Sequence, residues 1–108
     1  MNVLFICSRN QWRSPTGERV WRNRAGLVTR SAGTSRNAKR KVSAGDIRWA
    51  DVILVMEHKH KDRVTSEFSQ LMKNQPLHVL NIPDDYRYMD PDLVEHFEET
   101  IPLLLDLP

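Results

Sequence analysis

Apolar residues fall along this chain in short consecutive blocks, separated by stretches in which they recur at helical spacing. Val3-Leu4-Phe5-Ile6 and Val52-Ile53-Leu54-Val55-Met56 are too short for helices of their own and rich in β-formers, so they read as strands covered on both faces. Residues 27–31, weakly alternating, and residues 77–81, delimited by Pro76, read as two shorter strands. Between them, residues 14–24 carry Val20, Trp21 and Ala25 on one stripe, with Glu18 and Arg22 as an i,i+4 pair. Ser14 is the expected N-cap of that helix, Pro15 suits its first turn and Gly26 closes it. A helix opened by Glu57-His58-Lys59-His60 and running to about Lys73 places Val64, Phe68, Leu71 and Met72 at helical spacing. A closing helix over 93–105 repeats Leu93, Phe97, Ile101 and Leu104, and Pro102 is expected to bend or shorten its last turn. Residues 35–47 break the rhythm: 36–41 is a charge run with little apolar face, read as a solvated helix or loop.

Strand, helix, strand, short segment, strand, helix, strand, helix is the order of an open three-layer α/β fold, with a four-stranded parallel sheet and helices on both faces. With 108 residues, 40% of them hydrophobic, positions 1–108 suit a single domain with one modest core. Ligands of such sheets bind at the carboxyl ends of the strands. A net charge of +2 suits an anionic substrate and falls short of the dense basic field of a nucleic-acid binder. One cysteine excludes an internal disulfide framework. The N-terminus lacks the basic region of a signal peptide, and no apolar run reaches membrane-spanning length. The expectation is a cytoplasmic protein with a reduced thiol.

That thiol is where the chemistry concentrates. The first strand runs into Cys7, followed by a five-residue loop, Ser8-Arg9-Asn10-Gln11-Trp12, then Arg13 and the Ser14-Pro15 helix start. Backbone N–H groups of a loop curling into a helix N-terminus attract anions, and Arg13 adds a planar fork suited to phosphate oxygens, so residues 8–14 read as a cradle for a phosphate or other oxyanion. The same field favours the thiolate of Cys7, which makes it a nucleophile toward a bound phosphate ester. The plainer reading is a structural cysteine that ends a strand. Expelling an alkoxide or phenolate needs a proton donor, and Asp84, Asp85 and Asp90 lie in the loop after the fourth strand, although Asp also favours turns for local reasons. His58 and His60 invite a metal reading, but residues two apart on a helix face different ways, and no cysteine or carboxylate completes a set; no metal or other cofactor is expected.

Residues 3–15 resemble the signature of the low-molecular-weight protein tyrosine phosphatases, in which an N-terminal strand leads into Cys-x5-Arg-Ser-Pro. The resemblance implies Cys7 as nucleophile, Arg13 as the phosphate-binding arginine, Asn10 as the residue holding the loop's shape and Ser14 as the hydroxyl bonded to the thiolate. Arg9 stands where the family usually has glycine, and Trp12 where it usually has a second, protective cysteine. Ser31-Ala32-Gly33-Thr34 and residues 49–57 resemble the ends of the family's second and third strands, while the segment between them is shorter than in the family. Ile82-Pro83-Asp84-Asp85-Tyr86 resembles its acid loop, which implies Asp84 as general acid and Tyr86, with Tyr88, on the pocket wall. Asp85 replaces an expected proline and Asp90-Pro91 keeps the Asp-Pro pair, so Asp85 and Asp90 remain alternatives.

The resulting expectation is a metal-independent cysteine phosphomonoesterase acting on a phosphorylated protein, phosphotyrosine first, or on a small phosphate ester. Phosphoarginine hydrolysis on the same scaffold is one alternative. A non-catalytic phosphate- or phosphoprotein-binding module is another, and thioredoxin-linked arsenate reduction is disfavoured because it needs further cysteines. Neither nucleic acid nor a membrane is an expected partner.

Overall fold

The computed structural model describes residues 1–72 and 74–107. Its centre is β1 (Asn2–Cys7), flanked by β2 (Val28–Gly33) on one side and β3 (Val52–Val55) on the other, with β4 (Leu77–Val79) beyond β3. All pairs are parallel; Val3 stands opposite Thr29 and Val52, and Ile6 opposite Ala32 and Val55. This is the expected four-stranded parallel sheet, with the two apolar runs, β1 and β3, side by side at its centre.

Alternation along β1 feeds two cores. Val3, Phe5 and Cys7 face a layer that includes Val20 and Trp21 of α1 (Arg13–Trp21) and Leu93, Phe97 and Ile101 of α4 (Pro91–Leu104). Leu4 and Ile6 face Ile47 of α2 (Ala44–Trp49) and Val64 of α3 (His58–Glu67). Phe5 meets Phe97 edge-on at 5.7 Å between ring centroids, and Trp21 Nε1 donates to the Phe97 carbonyl at 3.1 Å, which ties α4 to α1. Burial of side chains this size stabilises by roughly 2–3 kcal/mol each, far more than surface pairs such as Arg24–Glu98, so packing positions β1 and the residue at its end.

Several boundaries differ from expectation. Helix α1 starts at Arg13 with Trp12 as N-cap, so Ser14 is not the cap; its hydroxyl is engaged elsewhere, as described below. It ends at Trp21, and Ala25, expected on the apolar stripe, is exposed with φ of 51°. Helix α3 ends at Glu67, and the expected end near Lys73 lies outside the described residues; Leu71 and Met72 still pack against the core without being helical. Helix α4 begins at Pro91 and contains Pro102, ending two residues beyond it.

The charge run between β2 and α2 is a loop, and its exposed Arg40 covers a buried carboxylate. Arg40 pairs with the buried Asp46, donates to the Ser31 carbonyl at 2.8 Å, and leaves Arg30 to approach the same carboxylate at 3.4 Å. Burial alone would push the Asp46 carboxyl up, but the Arg40 guanidinium and the Ser43 amide hold it below the usual range. Ser43 and Asp46 also form a reciprocal capping box that starts α2, a Ser-x-x-Asp signal present in the sequence and not used above.

Gly33 closes β2 against the loop that follows β1. A Cβ there would sit 2.6 Å from the Ser8 carbonyl oxygen and 3.0 Å from the Asn10 nitrogen, both backbone atoms. We expect Gly33→Ala to destabilise the fold by about 2 kcal/mol through forced displacement of that loop; urea unfolding measures it, and an unchanged midpoint would remove the close approach as a constraint.

Candidate active site

The end of β1 carries Cys7 into a loop held from three directions. Thr34, Ser35 and Lys39 donate their backbone N–H groups to the carbonyls of Cys7, Ser8 and Arg9 at 3.0, 2.8 and 3.0 Å. Asn10 takes the left-handed conformation, φ 53°, that asparagine tolerates better than most residues. Its Nδ2 donates to Ser14 Oγ at 3.0 Å and to Ser31 Oγ at 2.9 Å, and Ser31 in turn donates to Glu18. Ser14 Oγ lies 3.0 Å from Cys7 Sγ. Since Asn10 occupies that oxygen as a donor, the Ser14 hydroxyl hydrogen is left for the sulfur, the Ala32 carbonyl being more distant at 3.4 Å. Asn10 and Ser14 are buried beneath the loop and brace it rather than lining its mouth.

Arg13 is only 2% exposed. Its Nη1 donates to Glu57 Oε2 at 2.6 Å and to the Ile82 carbonyl at 2.8 Å, while Nε faces Asp84 Oδ1 at 3.5 Å. Burial works against ionised Glu57, yet the Arg13 hydrogen bond and charge hold its carboxyl below the usual range. Cys7, Ser8, Arg9, Gln11, Trp12, Arg13 and Asp84 line one small hollow of about 30 Å³. The hollow is on the scale of a small anion, and an aromatic ring carried by a ligand does not fit inside it.

The aspartates separate clearly. Asp84 is on the hollow with 59% of its side chain exposed, whereas Asp90 caps α4 through a bond from the Asp92 N–H at 2.9 Å. Asp85 is exposed and does not line the hollow. Tyr86 and Tyr88 do not form its wall either: Tyr86 packs against the core shared by α1 and α4, and Tyr88 is about half exposed. The aromatic side chain at the hollow is Trp12, over which the Arg87 guanidinium lies at 5.8 Å. Trp12 thus stands at the hollow where the tyrosines were expected.

Sequence reasoning missed Glu57 and His60 as parts of this site. His60 is buried, its Nδ1 accepts the Glu57 N–H at 3.0 Å, and its Nε2 is 2.8 Å from Ser8 Oγ. Accepting at Nδ1 places the imidazole proton on Nε2, so His60 donates to Ser8 and leaves the Ser8 hydroxyl hydrogen free. Burial, and next the positive charge of Arg13, push His60 down to about 4. His58 is exposed, and among the described residues no group of three or more His, Cys, Asp or Glu could hold a metal. The three-residue spacing of Glu57 and His60 across a helix start was the available signal; nothing in the linear order pairs either with the Cys7 loop.

No family model matches this chain. It is 31% identical over 124 aligned positions to the low molecular weight protein-tyrosine-phosphatase Etp of Escherichia coli K12, across 88% of this chain and 83% of that protein. Among solved structures, the low molecular weight phosphotyrosine phosphatase VcLMWPTP-2 of Vibrio cholerae O395 superposes with a TM-score of 0.76 at 20% identity, covering 98% of this chain and 95% of the other. The tyrosine phosphatase Wzb of Escherichia coli K30, in complex with phosphate, gives 0.74 at 21% identity over 97% and 96%. The YwlE arginine phosphatase of Geobacillus stearothermophilus gives 0.66 at 21% identity over 97% and 88%.

The depressed His60 fixes a direction for acid sensitivity. Between pH 6.5 and 4 the unfolded chain binds a proton at this imidazole that the folded chain refuses, so stability is fully present above 6.5 and falls as pH drops through 4, by about 3 kcal/mol. Urea unfolding across pH 4–7.5 should show a steeper loss in the wild type than in His60→Gln; parallel curves would refute the buried neutral imidazole.

Proposed function

The chain belongs to the low-molecular-weight protein tyrosine phosphatase family, and we propose that it hydrolyses phosphate monoesters through a phosphocysteine intermediate, with phosphotyrosine side chains as the preferred class. The observation that carries this reading is the meeting of Cys7, buried Arg13 and the Asp84 carboxylate on one small hollow.

In the first step the Cys7 thiolate attacks phosphorus, an S–P bond forms and the bond to the leaving oxygen breaks, while Asp84 in its acid form hands that oxygen a proton. Arg13 and the loop amides stabilise charge on the remaining phosphoryl oxygens, and the free Ser8 hydroxyl hydrogen adds a donor on the same side. The Ser14 hydroxyl, 3.0 Å from the sulfur, stabilises the thiolate before attack and again as it leaves. In the second step the Asp84 carboxylate takes a proton from water as its oxygen attacks phosphorus; the S–P bond breaks, releasing inorganic phosphate and restoring the thiolate. Asp84 is exposed enough to swing from Arg13 toward the leaving oxygen, whereas Asp90 is committed to the α4 cap. The ring of a phosphotyrosine stays outside the hollow, against Trp12.

Cys7→Ser should abolish turnover of an aryl phosphate in a colorimetric assay while vanadate or phosphate binding stays measurable by calorimetry; retained turnover removes the nucleophile assignment. Asp84→Asn should lower kcat by about 10²–10⁴-fold. Asp90→Asn keeps a good capping residue and should stay within about twofold of wild type. The reverse pattern would move the acid to Asp90. Assay of phosphotyrosine against phosphoarginine peptides decides the substrate class, and faster release from phosphoarginine would overturn the preference stated here.

A further inference from the structure

Beside the catalytic hollow, and sharing Ser8 with it, lies a much larger cleft of about 640 Å³ between the turn after β2 and the outer face of α3. Arg36 stands on one wall, Lys59 and Arg63 on the other, with Asp62 as the single carboxylate among the lining residues. Three cations against one anion leave the cleft positive. Arg24, Arg30 and Arg40 are tied to carboxylates, but among the described residues neither Arg36 nor Arg63 has a carboxylate within 4 Å; Lys59 approaches only Glu57, at 3.8 Å, which Arg13 already holds. Hydroxyls of Thr34 and Ser66 add polar partners along the walls. His60 forms the partition, its proton directed at Ser8 on the boundary between the two spaces. No phosphoryl group fills so large a space, whereas an extended chain two to four residues long spans about 10 Å and has room there.

We propose that this cleft binds acidic residues flanking the phosphorylated residue of a protein substrate, with Arg36 and Arg63 as the recognising groups. The inference rests on the phosphatase reading above and names its substrate class: an acidic segment of a phosphoprotein. Each exposed pair of this kind contributes a few-fold in affinity, so the two arginines together give about a tenfold preference, weakened by salt.

The test uses two phosphotyrosine peptides of equal length, one with Asp and Glu around the phosphoresidue and one with Asn and Gln, on the wild type and on the Arg36→Ala/Arg63→Ala double variant. The wild type should show kcat/KM about tenfold higher for the acidic peptide, shrinking in 0.5 M salt; the double variant should treat both alike while para-nitrophenyl phosphate turnover is unchanged. Equal rates on the wild type, or a preference that survives in the double variant, overturn the proposal. Should the wild type hydrolyse no aryl phosphate, the phosphatase reading fails, and fluorescence anisotropy with the same peptides still decides the cleft. Tighter binding of the acidic peptide that vanishes in the double variant sustains it, and equal binding sinks it.

Discussion

A guanidinium held almost entirely out of water is the constraint from which the rest of this molecule follows. Leaving such a charge without partners would cost several kcal/mol, so Arg13 dictates what must surround it. Glu57 at the end of β3 and the Ile82 carbonyl beyond β4 meet that demand at 2.6 and 2.8 Å. Each follows the carboxyl end of a different strand, so β3 and β4 must both be in place alongside β1 before the cation is satisfied. The anchored guanidinium then presents its Nε edge to Asp84, and the group that would donate a proton is assembled by the group that would hold the phosphate.

The sulfur side of the hollow is organised by neutral groups. Asn10, in a backbone conformation few residues accept, spends both amide hydrogens on the hydroxyls of Ser14 and Ser31, so the loop's shape and the hydroxyl beside Cys7 are set together. Gly33 permits this because any side chain there would meet loop backbone. The short segment after β2 donates three backbone N–H groups to the carbonyls of residues 7–9 and is itself closed by the pairing of Arg40 with Asp46, so a short connection clamps the site. His60 completes the enclosure as a neutral donor, the form that burial beside Arg13 favours.

Two large side chains shape the rim of the hollow rather than its floor. Trp12 caps α1 and supplies the aromatic wall that the tyrosines of the 82–91 loop do not, and Arg9 adds a cation at the mouth. Beneath that rim Cys7 and Arg13 meet at the hollow, while Asn10 and Ser14 are buried behind the loop. Buried groups with satisfied partners make the floor, whereas Arg36, Lys59 and Arg63 are exposed cations on the neighbouring cleft that shares Ser8 with it.

The sheet and the loop after Cys7 were legible in the chain itself, because consecutive apolar residues such as 3–6 and 52–56 bury on both faces whatever their neighbours, and because Cys7 to Ser14 is a local unit whose parts lie within one loop and one helical turn. Choosing among Asp84, Asp85 and Asp90 was beyond it, since all three are compatible with turns and only the position of Arg13 distinguishes them. The roles of Glu57 and His60 were likewise hidden. A charged residue reads as solvated until its partner is known, and those partners, 44 residues away for Glu57 and 52 for His60, come within hydrogen-bonding distance only once the strands have paired.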